Sequence, residues 1–222
     1  VTPSKLVVIG TGGLGRETLW ALVAPSEGRP GRAREVLGFL TCHGDQHGTE
    51  VCGLPVLGSE SWVIGREDVA AVCCIGDPRA RRRLVQWLEG EGVSFATAVH
   101  PTASMSEHVE IGAGSIVGAG AVLTSQVNVG RNAVIGAGAI VSHDCRLEDF
   151  ATLAPGVLLA GGVRVEYGAE LGVGASVRPD QIVGRGALVG AGSAVVDVVE
   201  ENTIVAGVPA RPMKRFPADQ QL

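Results

Sequence analysis

From Val99 through Val195, every sixth residue of this chain is aliphatic, with no gap or slip. The series is Val99, Met105, Ile111, Val117, Leu123, Val129, Ile135, Val141, Leu147, Leu153, Leu159, Val165, Leu171, Val177, Val183, Val189 and Val195. Four places after each stands a small or β-branched residue, among them Ala103, Ser115, Ala139, Cys145, Val163 and Ser193; Gln181 alone breaks that second series. A period of six matches neither the 3.6 of an α-helix nor the 2 of an ordinary strand. It is the period of a parallel β-helix, in which each hexapeptide forms one short face and three complete a coil. Sixteen repeats give a little over five coils. Each aliphatic residue is expected to point into the prism, with the small residue under a corner. Glycines at the second and fourth places, such as Gly112 and Gly114 or Gly136 and Gly138, are expected to turn the backbone tightly. A Gly/Ala-rich linker would not hold an inward aliphatic at every sixth place.

The chain has 222 residues, 45% of them hydrophobic, enough to bury a core in two domains. A net charge of -5 argues against nucleic acid as the main partner, because phosphate binding favours a basic face. No apolar run approaches the ~20 residues of a membrane span. Residues 1–30 show no signal peptide, since Leu6–Ile9 is only a strand's length, so a cytoplasmic protein is expected. The five cysteines, with Cys73 and Cys74 adjacent in an apolar run, read as reduced thiols. Cys42, His43, His47 and Cys52 can be drawn as a zinc site. Their spacing fits no common module and the segment reads as a polar surface loop, so no metal is expected.

Ahead of the repeats, Lys5–Ile9 reads as a strand, Gly10 to Gly15 as a glycine turn and Arg16–Val23 as a helix. In that context Gly12, Gly13 and Leu14 mark a turn whose open N–H groups suit a phosphate. A dinucleotide enzyme places an acid after its second strand, Val36–Leu40, but Thr41 stands there, which argues against NAD. Glycines that serve only a tight turn remain an open alternative. A third strand, Val69–Ile75, leads through Gly76 and Asp77 to a basic helix from Arg79 to Glu89, and Ser94–Val99 runs as a strand into the repeats. Arg79, Arg81, Arg82 and Arg83 form either a solvated face or a contact to an anionic ligand. The fold class expected is an α/β Rossmann-like domain over 1–98, then an all-β left-handed parallel β-helix over 99–206 and a C-terminal tail over 207–222.

Within the repeats, Ser142-His143-Asp144-Cys145 stands out among sparse polar residues. His143 takes the third place of its hexapeptide, where the side chain projects outward at a turn. A neutral imidazole is the preferred general base near pH 7, and Asp144 is suited to fixing its tautomer. A surface histidine with an ordinary hydrogen bond is the alternative.

The whole chain resembles the sugar acyltransferases of the sialic acid O-acetyltransferase type, which include N-acetyltransferases of nucleotide-linked 4-amino sugars. The resemblance is carried by Gly10–Glu17, Gly38–Leu40, Gly53–Gly58, Gly76-Asp77, His100–Ala103, Ser142–Cys145, Ala160–Gly162 and Gly207–Arg211. It implies a homotrimer with acyl-CoA in the cleft between adjacent β-helices, His143 as general base and Asp144 as its acidic companion. It also implies direct transfer of an acetyl group from acetyl-CoA to a sugar amine or hydroxyl. Gly161, Gly172, Gly174 and Gly190 are candidate wall positions for CoA, and Arg211 and Lys214 candidate contacts to its phosphates. A backbone N–H near Gly161 is a candidate oxyanion donor.

Four positions depart from the commoner pattern of the family: Leu14 and Gly136, where histidine and asparagine are frequent, Thr41 in place of aspartate, and Thr152 in place of a second histidine. The acceptor therefore stays open between a nucleotide-linked amino sugar, a sialic acid hydroxyl and another small amine or alcohol. A β-helical zinc carbonic anhydrase needs converging histidines, but His100, His108 and His143 include no closely spaced pair. A non-catalytic binding scaffold is the alternative of another class. Many such acyltransferases extrude a loop to build the acceptor site. The repeats here contain no insertion, so that site is expected from the neighbouring prism and the N-terminal domain.

Overall fold

In the computed structural model, which describes residues 3–25 and 35–217, each hexapeptide contributes a two-residue strand. The chain divides after Pro101 into two compact units. In the second, the first residue of each strand faces out and the second faces in, and strands pair in parallel with those 18 residues away. Thus Val122 is in register with Ile140, and Ile140 with Leu158. From Val117 to Val195 every inward aliphatic is at most 3% exposed, whereas Met105 and Ile111 in the first coil are half-buried. Full burial of one such side chain stabilises by about 1.5–3 kcal/mol, so the stack of rungs is the core of this unit.

From Gly114 to Gly192 the fourth place of the repeat is left-handed backbone, as at Gly114 (φ 75), Gly138 (φ 65), Gly162 (φ 71) and also at Asp144 (φ 63) and Asp180 (φ 60). The second-place glycines correct the sequence expectation. They do not turn the chain but make room for the next coil: a Cβ on Gly112 would lie 2.5 Å from the carbonyl carbon of Gly130.

Three outward faces result. The first carries Val122, Ile140 and Leu158. The second carries Glu110, Asn128, Arg146 and Arg164. The third carries Ile116, Val134, Thr152 and Glu170. Carboxylates cap the corner between the second and third faces: Asp149 accepts from the Arg131 N–H at 2.7 Å, Glu148 from Tyr167 at 2.9 Å and Glu166 from Arg185 at 2.9 Å. After the last coil, Thr203–Ala206 pairs antiparallel with Arg211–Arg215, so the segment read as a tail carries a strand. Positions 218–222 of that tail, and positions 1–2 and 26–30 of the stretch searched for a signal peptide, lie outside the described residues.

In the first unit, β1 (Lys5–Ile9) lies between β2 (Glu35–Leu40) and β5 (Val69–Cys73), with β4 (Leu54–Gly58) beyond β2, all parallel. A short β3 (Glu50–Val51) runs antiparallel to β4. Helices α1 (Gly13–Val23) and α2 (Pro78–Gly90) follow β1 and β5. Val7, Ile9, Leu40, Val69, Ala71 and Leu88 form the core. Of the strand expected over 94–99, only Ala98–Val99 is regular, with Phe95 bridged to Ala71. All five cysteines are free. Burial pushes the thiols of Cys73 and Cys74 up to about 11 and about 12, so both stay protonated and inert.

Candidate active site

His143 stands at the corner between the first and second faces, two residues after the inward Val141 and three before Arg146. Its backbone is fixed from both sides. The Asp144 N–H donates to Ser125 O one coil before, and Gly162 N–H donates to His143 O from one coil after, at 3.0 and 2.9 Å. Beneath it, the buried Cys145 thiol donates to Ala160 O at 3.2 Å. The positive φ of Asp144, a conformation that Asp tolerates better than most residues, turns its carboxylate back onto the preceding side chain. His143 Nδ1 and Asp144 Oδ2 are 2.8 Å apart. A neutral imidazole donating from Nδ1 leaves Nε2 as the acceptor, which is the tautomer a general base requires.

Gly161, one coil further on at the same corner, has the imidazole lying across it. A Cβ there would fall against His143 Cε1 and 2.6 Å from Nε2. The Gly161 N–H donates to no group among the described residues, unlike the carboxylate-capped N–H groups of the neighbouring corner. A base nitrogen and an open N–H donor thus share one small patch, the pair that acyl transfer uses for the proton and the oxyanion.

The other glycines singled out in the coil have structural duties. A Cβ on Gly172 would lie 2.6 Å from Ala191 N, and one on Gly190 would lie 2.9 Å from Ala206 Cβ. Gly174 occupies a left-handed turn (φ 66). Gly136 is closed by Pro155 N, 2.5 Å from a Cβ built there, so the backbone leaves no room for a larger residue. Thr152 lies buried on the third face, away from the His143 corner. Arg211 donates to Asp197 at 3.3 Å and to Ala210 O at 2.9 Å, while Lys214 is exposed on the final strand.

In the first unit, Gly10 and Gly15 are demanded by packing, since a Cβ on Gly10 would approach Cys74 O and one on Gly15 would strike Gly10 O. Gly12, Gly13 and Gly76 are different. A Cβ on any of them would meet nothing within 4 Å, and none has positive φ. Neither packing nor backbone conformation demands glycine at these three positions. The α1 N-terminus begins at Gly12 without a side-chain cap or a first-turn acid, leaving its N–H groups open. Leu14 is half-buried beside it. Thr41 is buried, accepts from the His43 N–H at 3.2 Å and receives the His47 Nε2–H at its carbonyl at 3.0 Å. Asp77 is the N-cap of α2, accepting from Ala80 N–H.

Two contacts here escaped the sequence reading. Gln46 Oε1 accepts the Thr11 hydroxyl at 2.8 Å, and the buried Arg81 donates to Ile75 O and Gly76 O at 2.7 and 2.9 Å. Both depend on loops whose course has no periodicity to read.

Among the described residues no group of three His, Cys, Asp or Glu side chains could hold a metal ion. Cys42 and Cys52 are exposed, and no helix among the described residues is long and apolar enough to cross a membrane. No family model matches the chain, and no curated protein does. Solved structures do. PerB from Caulobacter crescentus, in complex with CoA and GDP-perosamine, is 34% identical, with 95% of this chain and 97% of that chain covered and a TM-score of 0.85. A histidine-to-asparagine variant of perosamine N-acetyltransferase from the same organism, with the same two ligands, is 32% identical over 95% and 97% of the chains, at a TM-score of 0.86. The acetyltransferase domain of PglB from Neisseria gonorrhoeae, in complex with acetyl coenzyme A, is 31% identical over 95% of this chain and all of that one, at a TM-score of 0.85. Similarity of this degree over nearly the whole length, on a coil of hexapeptides, means that the chain belongs to the acetyl-CoA-dependent sugar N-acetyltransferases of the hexapeptide-repeat family.

Proposed function

We propose that this enzyme transfers an acetyl group from acetyl-CoA to the amine of a nucleotide-linked sugar, with His143 as general base and Asp144 as the group that orients it. The observation that carries the reading is the Nδ1–Oδ2 contact of 2.8 Å, which leaves Nε2 as an acceptor beside the open N–H of Gly161. The sugar amine attacks the thioester carbonyl while Nε2 takes its proton. The Gly161 N–H donates to the oxygen as charge develops on it. The tetrahedral intermediate collapses with loss of CoA thiolate, which takes up the proton from the imidazolium. Asp144 stabilises that imidazolium while it exists.

In this reading the coil is left-handed and the functional unit is a homotrimer, because a single prism offers only one wall of a cleft. The exposed Ile140 and Leu158 on the first face support such an assembly. Gly161, Gly172, Gly174 and Gly190 line the course of CoA, with Lys214 and Arg211 toward its phosphates. The segment 1–98 is a Rossmann-like domain that holds the acceptor nucleotide at Gly12, Gly13, Leu14, Thr41, Gly76 and Asp77. The 99–206 segment carries acyl-CoA binding and catalysis, and 207–222 closes the coil. The cytoplasm is the compartment that suits an acetyl-CoA enzyme with five free thiols.

The test is thiol release from acetyl-CoA in the presence of GDP- and UDP-linked amino sugars, sialic acids and simple amines. The expected outcome is turnover with a nucleotide-linked amino sugar. His143→Ala is expected to lower turnover at least ~10²-fold with little change in CoA affinity. Near-normal turnover in that variant would overturn the assignment of the base.

A further inference from the structure

On the second face of the coil, Arg146 and Arg164 are in register in adjacent parallel strands, so their side chains leave the sheet one rung apart, about 4.8 Å. Like charges directly opposite on a sheet are destabilising, and such pairs normally have a counter-charge. Here neither guanidinium has a hydrogen bond or ion pair with any described residue, and both are exposed. Each carboxylate around them accepts a hydrogen bond from a group other than these arginines. Glu110 accepts from Asn128 Nδ2 at 2.8 Å, Asp144 is held by His143, Glu148 caps Tyr167 N and Asp149 caps Arg131 N. Two depressions of about 530 and 460 Å³ lie along this face, and both are lined by Asn128 and Arg146. Asp144 borders the first and Arg164 the second.

We propose that Arg146 and Arg164 form a diphosphate-binding site, with one guanidinium fork for each phosphoryl group. A single carboxylate satisfies one fork, whereas two forks a rung apart match two linked phosphoryl groups. The Asn128 amide, next in the same ladder, extends the polar row. That the ligand is a substrate of this enzyme rests on the acetyl-transfer reading above. Two substrates carry a diphosphate, and reach favours the acceptor. Arg146 is only three residues beyond His143, a span of at most ~10 Å. A hexose ring separates its anomeric phosphate from an amine across the ring by one ring's width. The long pantetheine arm carries the diphosphate of CoA much further from its thioester.

The test is calorimetric titration of the full chain with inorganic pyrophosphate, GDP and acetyl-CoA, for the wild type, Arg146→Ala/Arg164→Ala and Arg146→Lys/Arg164→Lys. The double alanine variant is expected to bind pyrophosphate and GDP about 10- to 100-fold more weakly, with a shallower dependence on salt. The lysine pair is expected to recover only part of that loss, because it keeps charge but not the forks. If acetyl-CoA rather than GDP is the nucleotide weakened, the diphosphate site stands and belongs to the donor. Unchanged affinity for all three ligands would overturn the proposal. So would a fall in native mass of the alanine variant, which would mean that the arginines pair with a neighbouring copy. Pyrophosphate binding needs no turnover, so absence of thiol release in the wild type would count against the acetyl-transfer reading and leave this site standing.

Discussion

The imidazole of His143 lies across Gly161, a residue 18 positions later in the chain and one rung away in the coil. The base therefore rests on bare backbone, held by Asp144 on one edge and limited by Gly161 beneath. Gly161→Ala would push a methyl group into Cε1 and Nε2. It is expected to lower kcat about 10²-fold through misplacement of the base alone, with the thermal midpoint little changed because the corner is solvent-accessible. Steady-state kinetics and a melting curve on the same sample check both halves.

Asp144 contributes a charge and a conformation. Asn also tolerates positive φ and keeps an oxygen toward Nδ1, so Asp144→Asn isolates the charge. Hydrogen bonds to charged groups exceed neutral ones by about 1 kcal/mol or somewhat more, so a loss of about 10-fold in kcat is expected, well short of that for His143→Ala. Asp144→Ala removes the bond as well and is expected to cost more in both kcat and stability.

Ile140 and Leu158 are 40% and 46% exposed and sit in register on the first face. In the proposed homotrimer this apolar stripe is the surface that another copy of the chain covers. Ile140→Glu/Leu158→Glu is expected to yield a folded chain with the native mass of a monomer and no acetyl transfer. Light scattering coupled to size separation reads the mass, and a trimer that survives both charges would count against this face as the interface.

His100 is buried, with its ring against Trp20 at a centroid separation of 4.2 Å. Burial lowers its pKa below the usual 6.5. Above pH 6.5 both folded and unfolded chains hold it neutral. As the pH falls below that value the unfolded chain takes up a proton first, so stability is lost progressively until the folded-state pKa is reached. The thermal midpoint is expected to fall between pH 7.5 and pH 5.5, and the fall is expected to be smaller in His100→Asn. Melting curves across that range check the sign.

The repeat was legible because the core imposes it: one inward aliphatic per hexapeptide, from Val117 to Val195, with no tolerance for a polar substitute. His143 was legible because an outward imidazole in that wall has no core duty. The duties of the glycines were not. Gly136 and Gly138 look alike in the sequence, yet the first yields to the backbone of Pro155 and the second to positive φ. Arg146 and Arg164 were missed for a different reason. Their meaning lies in a register 18 residues long, and a search at six residues reads them as two unrelated surface charges. In the first unit, β3 and β4 are short and bounded by glycines, so alternation had too few residues to show itself.

The parallel register of the coil separates two arithmetics within one sequence. Burial is counted modulo six, whereas the identity of a face is counted modulo eighteen. A deletion of six residues between His143 and Gly161 would leave every aliphatic pointing inward, yet turn all that follows onto the next face. Such a protein would fold, with Gly161 carried away from His143. Only gain or loss of a whole coil preserves both counts, so the coil can lengthen by eighteen residues, before His143 or after Gly161, without turning its later faces or separating the base from the residue on which it rests.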